Sequence, residues 1–487
     1  MISRTVVALP FLCAFVAPLG AQTGLSPLER RIVGAAEAEV PAAVALIERT
    51  VNVNSGTLNV AGVRNVGELY RPLLDSLGFT VRWADVPASM KRAGHLVAER
   101  KGTRGKRILI IGHLDTVFEP SSGFQTFRRD STTAYGPGVS DMKGGNAIAL
   151  HALRALQQAD ALDGAQITIV LTGDEELPGE PLAEARKVLI DAAKHSDIAL
   201  EFEELITDSA GDWVTIARRS STGWKLEVTG HGAHSSGIFR AETGAGAIYE
   251  AARIITGFYS EIRSEPGATF SPGVIVGGTD VAFDAEEHRG TAAGKDNIVA
   301  RTAVVSGDIR TITNQSLERV RRRMRAIVAK SLPRTSATIT FRDGYPAMAP
   351  TEANRRLAAT LNRINRDAGF PAMQLLDPVR RGAADISFVA DYVDGLAGLG
   401  AEGRDGHTER EAMELRSLPR QIGRAALLIH RLTQAKEVSR AARPSLARAA
   451  EMRAPSGRCR SRSPEPGAAR DSLLRSRNRR AGFRRAL

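Results

Sequence analysis

The sequence predicts an α/β domain, with a mixed, mostly parallel sheet flanked by helices, interrupted by a smaller α+β domain. Three observations predict it. Short apolar runs such as "RILIIGHLDTV" and "AQITIVLTG" alternate with helical patterns such as "GGNAIALHALRALQQA", the rhythm of a sheet built by helical crossovers. Near Arg218 the texture changes to half-polar alternation, beginning with "GWKLEVTGHGAHSS", and near Glu352 helical patterning resumes. The chain has 487 residues, more than one compact core usually holds. The expected division is 22–218 and 343–435 for the α/β domain and 219–342 for the insert.

Taken in order, the first 21 residues carry one Arg, an apolar stretch from Thr5 to Ala17, and then Pro18, Gly20 and Ala21. This suits a secretory signal cleaved after Ala21 and is too short to span a bilayer comfortably, so a periplasmic or secreted protein is expected. From Gly24 to Ser76 the pattern is helical, in "SPLERRIVGAAEAEVPAAVALIERTV" and "NVGELYRPLLDSLGF". "HLVAERKG" and "RILIIGHLDTV" read as strands, followed by the helix and strand quoted above. The insert reads as the strand at Gly223, the helix "ETGAGAIYEAARIITGFYSEIR", the strand "GVIVGGT", a Gly- and acid-rich loop over 277–296, the strand "NIVARTAVVSGDIRT", the helix "QSLERVRRRMRAIVAKSL" and the strand "SATITFRDGYP". That makes two helices on a four-stranded sheet. "EANRRLAATLNRINRDAG" restarts the first domain, and a Gly-rich loop leads to a last long helix ending near Ala435.

Composition narrows the function. Hydrophobic residues make up 43% and charged residues 25%, ordinary for a globular protein. The net charge of +12 sits almost entirely after Ala435, where 15 Lys and Arg face 4 Asp and Glu. The body is therefore near neutral, and with aromatics at 5% nothing in it argues for nucleic acid. The tail, 436–487, reads as disordered. Cys13 and Cys459 are the chain's two cysteines, one in the expected signal and one in the tail. Disulfides, thiolate zinc ligation and a cysteine nucleophile are excluded from the body, so a metal there is held by His, Asp and Glu.

Five stretches carry candidate chemistry. His113 and Asp115 in "IIGHLDTV" are two apart at the end of a strand and share a face, at the edge where ligands of open α/β sheets gather. A carboxylate suits the second nitrogen of a metal-binding imidazole, although the pair also fits a surface His beside a capping Asp. Asp141 in "YGPGVSDMKGGNAIAL" enters a helix between glycines, as a ligand or as an ordinary helix N-terminal acid. In "LTGDEELPGE" Asp174, Glu175 and Glu176 follow an apolar strand. Adjacent strand residues face opposite ways, so joint work by Glu175 and Glu176 requires the chain to bend just after Gly173. Clustered acids are stable where a dication neutralises them, or the stretch is a solvated turn. "HSDIALEFEE" places Glu201 and Glu203 on one face and Glu204 on the other. "GRDGHTERE" places His407, one of nine histidines, in a loop before the last helix.

In this order GHLDT, GxxDMKGG, a strand ending in DEE, an apolar strand ending in FE, GxGAHSSG and a late GHT resemble the zinc-dependent family of glutamate carboxypeptidase, aminoacylase, acetylornithine deacetylase and succinyl-diaminopimelate desuccinylase, over about residues 30–432. The resemblance implies a site for two zinc ions, or other divalent metals in their place. Asp141 would bridge them, His113 and Glu203 completing one metal and Glu176 and His407 the other. Glu175 would be general base and acid, and Asp115 would orient His113. The insert would be a lid and dimerisation domain, with His234 reaching the partner subunit's site to stabilise the oxyanion, Asn297 and Arg310 facing substrate, and Asp385 serving as a structural acid. The substrate would be a small peptide or an N-acyl amino acid, and the protein a homodimer.

Two departures bear on specificity. Tyr345, in "DGYPAM", stands where glutamate carboxypeptidases of this group usually carry an arginine before the proline, so a carboxylate-recognising arginine is either missing or supplied by Arg342. The loop 277–296 is long and acidic. Cleavage at the C-terminal side of a peptide is the expected reaction, with deacylation of N-acyl amino acids as the alternative. A catalytically inactive binding protein would break the ligand set, whereas every expected ligand and the base are present.

Overall fold

A computed structural model describes residues 24–285 and 287–435; the expected signal peptide (1–21) and basic tail (436–487) lie outside them. Among the described residues, no helix is long and apolar enough to cross a membrane. The fold is a mixed α/β arrangement.

Its main sheet has six strands in the spatial order Thr80–Ala84, His95–Arg100, Ala165–Thr172, Arg104–His113, Ile198–Glu201 and Asp394–Leu396. The first two pairings are antiparallel and the other three parallel. Arg104–His113 shows why its sequence is apolar without alternation. Ile108 and Ile110 enter the core on one face, while Leu109 and Ile111 enter the core on the other, as expected for a strand covered on both sides. The first face carries Pro27–Ala38, Gly144–Gln158 and Leu418–Gln434. The second carries Lys187–Lys194 and Ile386–Val389, through Leu189, Ala193, Ile386 and Val389.

The helical N-terminal stretch forms three helices rather than the two expected. Pro27–Ala38 starts on a capping box in which Ser26 accepts from Glu29 N and Glu29 accepts from Ser26 N. The chain then restarts as Val40–Val51, because Pro41 lacks the N–H that a continuous helix would need. Val60–Ser76 follows, its first turn capped by Asn59.

The second sheet, Thr269–Gly278, Thr302–Arg310, Thr222–Gly230 and Thr335–Asp343 in spatial order, is antiparallel throughout. Ala247–Ile262 and Asn314–Val328 pack on it around Trp224, Leu226, Phe258, Val305 and Met324. The stretch read as a loop, 277–296, is instead largely a hairpin of Asp280–Asp284 with Arg289–Ala293. Val281 and Phe283 are half-buried between exposed Asp280, Ala282 and Asp284. That period of two is a strand pattern, obscured in the sequence by the acids and glycines around it.

Parallel strands end on one edge, which brings His113, the residues after Thr172 and Glu201 together. The helix Gly144–Gln158 presses its start against that edge. A Cβ at position 145 would lie 1.7 Å from the carbonyl oxygen of Phe202, so only glycine fits. Gly145→Ala should therefore lower stability by about 1–3 kcal/mol through overpacking, read as a lower denaturation midpoint; an unchanged midpoint would mean that the helix and strand are not in this close contact.

Candidate metal centre

Asp141 lies in a loose turn, Val139–Lys143, before the helix Gly144–Gln158. Its Oδ1 is 3.1 Å from His113 Nε2 and its Oδ2 is 3.0 Å from His407 Nε2. One carboxylate thus faces two imidazoles, one oxygen to each. His407 Nε2 also lies 3.2 Å from Glu176 Oε2. Donor atoms of His113, Asp141 and Glu176 fall within 4.8 Å of one another. His113 sits at its strand end, its carbonyl accepting from Asn146 Nδ2 at 2.7 Å. His407 has a φ of 64° and lies in the loop between Gly403–Arg404 and Ala412–Glu414, which pair with each other.

Asp115 explains the bend after Gly173. Its Oδ1 accepts from Glu175 N at 3.0 Å, and its Oδ2 accepts from Glu176 N at 3.1 Å and from Thr57 Oγ1 at 2.6 Å. His113 Nδ1 lies 3.5 Å from Asp115 Oδ1 and 3.0 Å from the Asp115 carbonyl. One buried acid therefore touches the imidazole and draws two successive backbone N–H groups out of the strand.

The electrostatics suit a cation. Burial pushes the Glu175 carboxyl well above its usual range against the pull of His113, and burial pushes Glu176 to about 7 against the bond to His407. Bonds to Asp141 and Glu176 raise His407 to about 11. Burial opposes ionisation of Asp141, yet bonds to His113 and His407 hold its carboxyl far below the usual range. Glu176 Oε1 is buried with no hydrogen-bond partner in the protein. An orphaned carboxylate oxygen, a shared aspartate and two imidazoles form an oxygen and nitrogen donor set of the kind hydrolytic zinc sites use, and these residues fit a divalent metal.

The structure does not bring every expected residue to this cluster. Glu203 Oε2 accepts from Arg218 and lies 3.4 Å from Arg381 Nη2, so its carboxylate is held by guanidinium groups. Glu201 lies 2.8 Å from Arg218 and accepts from Ile386 N at 2.9 Å. Burial raises both Glu201 and Glu204 to about 7, opposed by Arg218 and Arg381 respectively. His234 is exposed, its Nδ1 2.8 Å from Ser236 Oγ, and its loop pairs with that of Asn297 through Ser235 N and the Asn297 carbonyl at 2.8 Å. Arg310 Nε donates to Asp308 Oδ2 at 2.9 Å along its own strand. Among the described residues, no hydrogen bond joins His234, Asn297 or Arg310 to the Asp141 cluster.

Some residues escaped the sequence reading. Glu411 accepts from Gly138 N, Ser140 N and Asp141 N at 2.9, 2.9 and 3.0 Å, so it shapes the turn that carries Asp141. Its place four residues after His407 was the available signal. Lys143, from the quoted "DMKGG", is buried, its Nζ 3.2 Å from the Val53 carbonyl.

The sequence pattern of Peptidase family M20/M25/M40 matches residues 109–431. The chain belongs to this family. It is accordingly a hydrolytic enzyme of a metal-dependent family. Carboxypeptidase G2 of Pseudomonas sp. (strain RS-16) is 26% identical over 438 residues, covering 88% of this chain and 97% of that protein. A succinyl-diaminopimelate desuccinylase of Sphingopyxis alaskensis is 32% identical over 175 residues, which is 35% of this chain and 45% of that one. In fold, the M20 member resembles aminopeptidase PepT from Bacillus cereus, with TM-score 0.62, 17% identity, and 81% and 98% of the two chains covered. It also resembles the M20 family metallo-carboxypeptidase Sso-CP2 from Sulfolobus solfataricus, with TM-score 0.58, 14% identity, and 81% and 99% covered. At these identities the structural likeness is one of fold.

Removing the charge of Asp115 while keeping its shape tests the clamp. Asp115→Asn should weaken divalent-cation binding by about 10–100-fold in a chelator competition. Unchanged affinity would show that the acid is dispensable to the donor set.

Proposed function

We propose that the protein is a periplasmic or secreted hydrolase that uses two zinc ions, or other divalent cations, to cleave an amide bond at the C-terminal side of a small peptide. The observation that carries this reading is the pair of contacts from one carboxylate, Asp141, to His113 and His407. Homology to carboxypeptidase G2 along nearly the whole of that protein supports the substrate class, and the N-terminal pattern of residues 1–21 supports export.

His113, Asp141 and Glu203 would hold one cation, and Asp141, Glu176 and His407 the other. Glu203 would then exchange part of its bonding to Arg218 and Arg381 for the metal. Bound cations supply Lewis acidity, which polarises a carbonyl and makes water a stronger acid. The chain's own groups do the rest. Glu175, whose burial keeps its carboxyl basic, accepts a proton from the attacking water and delivers it to the leaving nitrogen. Asp115 fixes the ring of His113 and the backbone of Glu175. His234 of the partner subunit donates to the tetrahedral oxyanion, with Asn297 and Arg310 facing the substrate. Exposure of His234 and Asn297, neither of them hydrogen-bonded to the Asp141 cluster, supports a shared site, as do exposed Ile248, Tyr249 and Ile275 on the inserted domain.

Deacylation of N-acyl amino acids is the second reading. Tyr345 offers no cation to a substrate carboxylate at the place where the resemblance to glutamate carboxypeptidases implies an arginine, and its hydroxyl is already bonded to the Glu175 carbonyl. The two readings part on a panel of dipeptides against N-acetyl amino acids, on which the first predicts the higher kcat/KM for peptides.

Glu175→Ala should keep its bound metal and lose about 10²–10⁴-fold in kcat. Near-wild-type turnover in a metal-replete Glu175→Ala protein would remove Glu175 as the proton carrier.

A further inference from the structure

Two residues after the end of the strand Thr335–Asp343, Tyr345 lies against the turn that carries Asp174, Glu175 and Glu176. Its hydroxyl donates to the carbonyl of Glu175 at 2.6 Å and accepts from Arg186 Nη2 at 2.9 Å. Arg186 is fully buried. Its Nη1 donates to Asp174 Oδ1 at 2.7 Å, its Nη2 to the Asp174 carbonyl at 2.9 Å and its Nε to Asp385 Oδ1 at 2.8 Å. Asp174 Oδ2 accepts from Gly179 N at 2.8 Å, and Asp385 Oδ2 accepts from Thr172 Oγ1 at 2.5 Å. The ring of Tyr345 packs against Phe388, centroids 4.8 Å apart, and the Arg186 guanidinium lies 5.7 Å from the one ring and 5.4 Å from the other. One arginine thus bridges two aspartates and aims one phenol.

The consequence falls on Glu175. Asp115 holds the N–H on one side of its Cα, and Tyr345 holds the carbonyl on the other. Rotation of either flanking peptide would swing the side chain through space, because the backbone torsions set the direction in which Cβ leaves. With both peptides pinned, the carboxylate retains only its own side-chain torsions. Burial, with Glu175 nearby, raises the phenol well above its ordinary value, which keeps it a donor.

We propose that Tyr345 is a positioning residue for Glu175, its hydroxyl fixing the peptide from which the proton-carrying carboxylate projects. This rests on the reading of Glu175 as the proton carrier. It also ties the Asp174–Glu176 turn to the segment that follows the strand Thr335–Asp343.

Tyr345→Phe removes the hydroxyl and leaves the ring against Phe388 and Arg186, so the fold should survive. In the full-length, metal-replete enzyme we expect kcat to fall about 10–100-fold, as displacement of a reacting group by an ångström can do, with KM within about twofold. Bound metal should match wild type, and the melting temperature should fall by only a few degrees, the cost of leaving the buried Glu175 carbonyl without its phenol donor. Glu175→Asp, whose carboxylate is already displaced by a methylene, completes a double-variant cycle, and Tyr345→Phe should cost far less in that background. Wild-type kcat in Tyr345→Phe, loss of metal in parallel with kcat, or full additivity with Glu175→Asp would each overturn the proposal. Failure of the underlying reading is seen separately, as turnover retained in Glu175→Ala.

Discussion

Asp141 stands between two imidazoles, and the elements around it are arranged to keep it there. Its turn is shaped by Glu411, which accepts from three backbone N–H groups and comes from the hairpin bearing His407. His113 arrives from the other direction, at the end of a strand buried on both faces. A rigid sheet edge and a loop thus meet at one carboxylate. The tightness of Gly145 against Phe202 follows from the same demand, since the helix that starts after Asp141 has to begin almost in contact with the neighbouring strand.

Burying this many acids is costly unless each is paired or bonded. The protein divides the task. Asp174 and Asp385 share Arg186, Glu201 and Glu203 share Arg218, and Arg381 lies between Glu203 and the Glu204 carbonyl. Asp115 is satisfied by two backbone N–H groups and Thr57. Burial raises Glu175 and Glu176 as it does Glu201 and Glu204; Glu175 is suited to carrying a proton and Glu176, with an orphaned oxygen, to holding a cation. Three consecutive acids therefore have three different fates, fixed by what lies opposite each.

Much of this was legible in the sequence because it is local. Strand periodicity placed His113 and Asp115 on one face, and the opposite facing of Glu175 and Glu176 in a continuing strand required the bend that Asp115 produces. The rest depends on residues far apart in the chain. Nothing near Asp174 in sequence says that its partner is Arg186, or that Asp385 and Tyr345 complete the network. The guanidinium grip on Glu203 was hidden for the same reason, since Arg218 and Arg381 lie in segments whose local pattern is unremarkable. Acids and glycines mask the alternation of the hairpin in 277–296, and Pro41 divides the N-terminal pattern although its helical spacing of apolar residues runs on across the break.

The central claim is that one carboxylate is built to serve two cations, and metal stoichiometry tests it most directly. Elemental analysis of the purified chain after equilibration with zinc should give two ions per chain. It should give none for Asp141→Ala, and one each for Glu176→Ala and His407→Ala. A single ion in the wild-type chain, or two retained by Asp141→Ala, would contradict the account.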